Sequence, residues 1–256
     1  MLDLHCHILP NIDDGARSWD ESFALARLAV EEGITHILAT PHHLNGKFEN
    51  YKYDVITLTN LLQQKLDEEM IPLEVFPSQE VRLSGDILKG IEKDEILFVD
   101  ETNKYLLIEF PTMSIPTYAE QLFFSLQQQS IIPVIVHPER NQEIIQDPNI
   151  LLEFVERGAL AQVTASSYVG VFGKDTAELS RQLIEANLVH ILASDAHNTR
   201  GRAFRMKDAF VKLEKEFGKE KVAHFQKNAK NMINGDYISV LSPDEVRKKK
   251  KIFGLF

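Results

Sequence analysis

The chain has 256 residues, 44% apolar and 26% charged, with a formal net charge of −10, which is enough for one well-buried globular domain and disfavours broad contact with nucleic-acid backbones. No stretch approaches the roughly 18 apolar residues that a membrane span needs, and the start MLDLHCHILPNIDD lacks the basic and apolar regions of a cleaved signal peptide. A single cysteine excludes an internal disulfide and suits a reducing compartment.

Apolar, β-branched runs alternate with segments of helical period. LDLHCHI (2–8) reads as a strand, residues 21–33 as a helix ending on Gly33, and ITHILAT (34–40) as the next strand. Residues 54–69 place Leu58, Leu61, Leu62 and Leu66 on one helical face. LEVFPSQEV (73–81) reads as a strand despite Pro77, which removes a ladder donor. Strands follow at 104–110, 133–138, 159–164 and 189–195, with helices at 117–129, 149–157, 174–187, 203–217 and 219–233. Strand–helix alternation predicts a parallel sheet, and seven such strands predict an α/β barrel over one domain, residues 1–240, followed by a tail, 241–256. An open doubly wound sheet is the alternative, but GxGxxG and GxxxxGK[ST] are both absent.

The His and acidic residues fall at strand ends. His5 and His7 lie two apart on the first strand and share a face, with Cys6 pointing the other way. His42 follows ITHILAT, Glu80 ends the third strand, Glu109 ends KYLLIEF, His137 ends PVIVHP, and Asp195 and His197 close VHILASDAH. Asp13 and Asp14 lie in the loop after the first strand. In a parallel barrel these positions converge on one mouth. Burying so many imidazoles and carboxylates without a cation costs several kcal/mol each, which divalent ions would offset. His and carboxylate without thiolate fit Mn, Fe or Zn better than a structural zinc knot. Each residue alone has an ordinary reading as a surface acid, a helix cap or a core histidine; the joint pattern points to a metal site.

DLHCHILPNIDDG, ATPHH, IEFP, VHPER and ASDAHN together resemble the PHP (polymerase and histidinol phosphatase) superfamily, most closely its bacterial manganese-dependent protein-tyrosine phosphatases of capsule and exopolysaccharide synthesis. The resemblance covers residues 2–234 and implies a distorted (β/α)7 barrel with a three-metal Mn2+ centre. It implies one ion held by His5, His7, Glu80 and Asp195. Glu80 would bridge to a second ion on Glu109 and His137, and Asp14, His42 and His197 would hold the third. It also implies phosphate-gripping arginines at Arg140 and Arg202, and as substrate the phosphorylated tyrosine-rich tail of a membrane-associated bacterial tyrosine kinase. Only the motif alignment selects Asp14 over Asp13 as a ligand; His43 is read as supporting a ligand or facing solvent.

Metal ions of this kind lower the pKa of water, and arginine forks bind phosphoryl oxygens. Phenolate, with a parent pKa of about 10, leaves without much protonation. A cysteine-nucleophile route needs Cys-x5-Arg, and position 12 is Ile12, so Cys6 reads as a packing residue. A histidinol-phosphate phosphatase and a non-catalytic metal-binding module are the competing readings. The end RKKKKIFGLF is either a solvated tail or, through residues 247–256, a weak contact for an anionic membrane. The expected location is the cytoplasm, with that tail a candidate contact for the inner face of the membrane.

Overall fold

The computed structural model describes residues 1–247. The strands are β1 (Leu2–Cys6), β2 (His36–Ala39), β3 (His42–His43), β4 (Glu74–Pro77), β5 (Glu80–Arg82), β6 (Tyr105–Glu109), β7 (Ile132–Val136), β8 (Leu160–Thr164) and β9 (Ile191–Ala193). The helices are α1 (Trp19–Glu31), α2 (Lys52–Glu68), α3 (Ile87–Glu92), α4 (Ala119–Gln128), α5 (Gln142–Gln146), α6 (Asn149–Glu156), α7 (Ala165–Val169), α8 (Lys174–Glu185) and α9 (Met206–Ile233).

All named pairings are parallel: β1-β2-β4 in one sheet and β3-β5-β6-β7-β8-β9 in the other. β3 continues the line of β2, and β5 that of β4, with the Ser78 and Glu80 N–H groups donating to Ala39 O and Pro41 O across the joint. The ladder then returns from β9 to β1, since Asp195 N–H donates to His5 O (2.8 Å) and His7 N–H to Ala196 O (2.9 Å). The result is a parallel barrel of seven staves, as expected.

The expected strand 73–81 is two pieces. Pro77 ends β4, and Glu80 opens β5 rather than ending a strand; proline supplies no N–H for the ladder. The two last expected helices meet at Gly218, whose φ of 85° breaks the helical path within α9. α3, α5 and α7 were not expected.

Alternation sorts the side chains. Leu106 and Ile108 of β6 join the outer core against the helices. Tyr105 and Leu107 join Leu4, Leu38, Val134, Val136, Leu160 and Ile191 in an inner cluster that Ala229 and Met232 of α9 complete. Glu109 continues the inner face of β6, so the barrel is apolar below and acidic at the C-terminal mouth. Ser18 caps α1 through the Glu21 N–H, and Leu25, Ala26 and Ala29 are its buried stripe.

Past α9 the chain runs back over the barrel wall. Asp244 N–H donates to Ala186 O, Val246 N–H donates to Asn149 Oδ1, and Val246 is buried in the outer core. Of the basic and aromatic segment 247–256, all but Arg247 lies outside the described residues. Among the described residues no helix is long and apolar enough to cross a membrane.

Candidate metal centre

The expected donors come together at the mouth. His5 Nε2 and His7 Nε2 are 3.2 Å apart. Glu80 Oε2 lies 3.4 and 3.3 Å from them, and Asp195 Oδ1 3.5 and 3.4 Å. Both carboxylate oxygens thus stand 3.3–3.5 Å from both imidazole nitrogens, a spacing that ligands about 2.0–2.2 Å from one shared ion would have. Glu80 turns its other oxygen to His137 Nε2 (2.6 Å), and Glu109 Oε1 is 4.0 Å from the same nitrogen. Asp14 Oδ1 lies 3.3 Å from His42 Nε2 and 3.4 Å from His197 Nε2. Three overlapping donor groups result: His5, His7 and Glu80; His42, Glu80 and Glu109; and His7, Asp14, His42 and His197.

Orphaned atoms test the fit to a metal. Asp195 Oδ1 and His197 Nε2 are buried and complete no hydrogen bond, and His42 Nδ1 and Glu80 Oε2, 2.8 Å apart, complete none either, an arrangement that is costly unless a cation completes it. Electrostatics agree. Burial and the neighbouring Glu80 carboxylate push Glu109 up to about 7. Burial, then Arg140, lowers His137 to about 3, which leaves its imidazole neutral. Burial would raise Asp195, yet Arg140 and His197 hold it well below the usual carboxylate range. The donors fit divalent ions.

Backbone strain places two of them. His137 and Asp195 take left-handed conformations, φ 38° and 51°, at the ends of β7 and β9, at a cost of roughly 1–2 kcal/mol each for an L-residue. Gly15 is required for another reason: a Cβ there would fall 2.1 Å from His7 O. The DDG loop therefore closes directly on His7.

Arg140 and Arg202 also converge. Their Nη2 atoms lie 2.5 and 2.9 Å from Asp195 Oδ2, with side chains 25% and 30% exposed. Both guanidiniums thus face the mouth with donors to spare. Cys6 is fully buried, its thiol pushed up by burial and directed at Ala196 O.

Some site residues were missed or left open. Asp13 Oδ2 sits 2.7 Å from His7 Nδ1. Gln162 Oε1 sits 2.9 Å from His5 Nδ1; its signal was one amide within the apolar strand ALAQVT. Arg82 Nη2 lies 3.0 Å from Glu109 Oε2, on the strand that Glu80 opens. His43 does not face solvent: it is fully buried with its ring edge-on to Tyr51, and burial lowers it to about 4. A cavity of about 1150 Å³ shares no residue with the donor cluster; Leu2, His36, Phe76, Val99 and Ile233 line it.

Relatives carry the same architecture. The chain is 46% identical over 256 residues, all of both chains, to the tyrosine-protein phosphatase YwqE of Bacillus subtilis (strain 168). It is 40% identical over 255 residues to the putative tyrosine-protein phosphatase CapC of Staphylococcus aureus, again along all of both chains. A crystal structure from work on YwqE from Bacillus subtilis and CpsB from Streptococcus pneumoniae, described as unique metal-dependent tyrosine phosphatases, superposes with a TM-score of 0.94 at 45% identity, covering 97% of this chain and 100% of the other. The family profile for capsular polysaccharide synthesis, CpsB/CapC, matches residues 1–234, and the chain belongs to that family.

Proposed function

We propose that this protein is a metal-dependent protein-tyrosine phosphatase. It hydrolyses phosphotyrosine on the tyrosine-rich tail of a membrane-associated bacterial tyrosine kinase, and so regulates capsule or exopolysaccharide synthesis. The observation that carries this reading is the four-atom cage of His5, His7, Glu80 and Asp195 with two arginine forks beside it.

His5, His7, Glu80 and Asp195 would hold one ion, Glu80, Glu109 and His137 a second, and Asp14, His42 and His197 a third, with Mn2+ the expected metal. When bound, such ions supply hydroxide from water near neutral pH and withdraw charge from a phosphoryl group. The protein supplies the rest. Gln162 and Asp13 accept from the Nδ1–H groups of His5 and His7, which leaves each Nε2 lone pair facing the cage. The Asp195 carbonyl does the same for His197. Arg140 and Arg202 bind the phosphoryl oxygens, their forks suited to bidentate contact. The phenolate leaves unassisted.

The barrel, residues 1–240, carries the chemistry. The basic and aromatic residues of the tail, 241–256, would offer a contact to an anionic membrane surface, which suits a cytoplasmic enzyme whose substrate is membrane-associated.

The deciding experiment compares phosphotyrosine peptide, phosphoserine peptide and histidinol phosphate on manganese-reconstituted protein. The phosphotyrosine peptide should be hydrolysed fastest. Histidinol phosphate as the best substrate would overturn the reading.

A further inference from the structure

Two phenyl rings at the mouth have no part in the core. Phe48 lies between β3 and α2, and Phe172 in the turn between α7 and α8. Both are half-buried. Neither joins either apolar cluster, although the nearby Leu44 and Val169 pack against the outer one.

Their ring contacts are with site residues instead. Phe48 lies parallel to the His42 imidazole, with centroids 6.1 Å apart and planes 7° apart. The Lys47 ammonium sits 4.6 Å from the Phe48 ring. The Phe172 ring centroid is 5.9 Å from the Arg140 guanidinium carbon. One ring therefore neighbours a metal-type donor, and the other neighbours an arginine assigned to the phosphoryl oxygens.

A phenyl ring kept out of the core leaves apolar area in water, and covering it is favourable. A phosphoryl group held between His42 and Arg140 would bring its ester substituent beside both rings. An aryl substituent can meet them through flat or edge-to-face contact, whereas a short alkyl chain offers neither. A chain built only to bind phosphate has no use for two such rings beside its phosphate-binding groups.

We propose that Phe48 and Phe172 are the walls that receive the substrate's phenyl ring. Preference for an aryl over an alkyl phosphate is then made partly by binding, in addition to the better phenolate leaving group. The proposal rests on the phosphatase reading above and deepens it.

The test must separate binding from leaving-group chemistry, so it uses phosphonates, which are not hydrolysed. Calorimetry on manganese-reconstituted full-length protein would compare phenylphosphonate with methylphosphonate. Wild type should bind the phenyl compound more tightly. Phe48→Ala and Phe172→Ala should each lose about threefold to tenfold of that preference, with methylphosphonate affinity held. Phe48→Leu and Phe172→Leu keep apolar volume without a flat face, and they should lose most of the same preference; they carry the comparison if the alanine variants fold poorly. An unchanged preference in both positions would overturn the proposal. So would an equal loss for both phosphonates, which would make the rings supports for His42 and Arg140. Failure of wild type to bind either phosphonate would overturn the phosphatase reading itself and this proposal with it.

Discussion

Asp13 and His7 form the contact that ties the first loop to the metal-type cage. Asp13 Oδ2 lies 2.7 Å from His7 Nδ1 and also accepts the His42 N–H (3.3 Å), while Oδ1 accepts the Gly15 N–H (2.9 Å). One carboxylate therefore orients an imidazole donor and pins the backbone of a second donor residue. Asp13→Ala should lower manganese affinity by about 10- to 100-fold while the protein stays folded, with Asp13→Asn intermediate. Metal titration of the stripped protein reads this directly; wild-type affinity in Asp13→Ala would reduce Asp13 to a loop residue.

Arg140 and Arg202 share Asp195 Oδ2 yet remain partly exposed. Replacing either with alanine should raise the barrier to turnover by about 2–4 kcal/mol, with metal content near wild type. Steady-state kinetics and metal analysis on the same preparations check both halves. Loss of metal in either variant would make that arginine a support for Asp195.

Chelation should abolish hydrolysis of an aryl phosphate, and manganese should restore it better than magnesium, because imidazole-rich sites disfavour magnesium. Cys6→Ser should keep most activity, since its buried thiol packs in the core and is directed at the backbone carbonyl of Ala196. Turnover by thoroughly demetallated protein would contradict the mechanism; collapse of activity in folded Cys6→Ser would revive a thiol nucleophile.

His190 gives a pH dependence of stability away from the metal centre. Burial, then His224 and Lys221, lowers it from 6.5 to about 4, while its Nδ1 accepts the Ala161 N–H at 3.0 Å. Between those values the unfolded chain binds the proton and the folded one does not. Stability is therefore complete above pH 6.5 and falls as pH drops toward 4, by on the order of 3 kcal/mol. Melting temperatures at pH 7 and pH 5 should differ more for wild type than for His190→Gln. Parallel curves for the two proteins would show that His190 titrates normally.

Deleting residues 248–256 should leave hydrolysis of a small soluble aryl phosphate unchanged, because Val246 is the last core residue described. The same deletion should weaken co-sedimentation with anionic vesicles, and wild-type binding should fade as salt rises. Equal, negligible sedimentation of both forms would leave the segment a solvated end.

Chain-local physics made much of this protein legible from its sequence. The runs KYLLIEF and PVIVHP read as buried parallel strands, and β6 and β7 are those strands, shortened by a residue or two where the chain turns into the site. The donors at the strand ends followed from the same reading, because a parallel barrel sends C-terminal strand ends to one mouth. Local pattern had less to say about short or irregular pieces. α3, α5 and α7 have only five or six residues each, too few to show a helical period. The break of 73–81 at Pro77 depends on how β2–β3 and β4–β5 run end to end.

Long-range packing made the choices between chemically equivalent neighbours. Asp13 and Asp14 are the same residue type side by side; loop closure over Gly15 aims Asp13 at His7 Nδ1 and Asp14 at His42 and His197. His42 and His43 are likewise adjacent, and strand alternation sends one to the mouth and the other to a buried place beside Tyr51. Gln162 became a partner of His5, 157 residues away in the chain, only because the sheet returns to β1 beyond β9 and so brings β8 within side-chain reach of β1. Residue type and spacing determine which atoms can bind a metal; the packing of distant strands determines which of them meet.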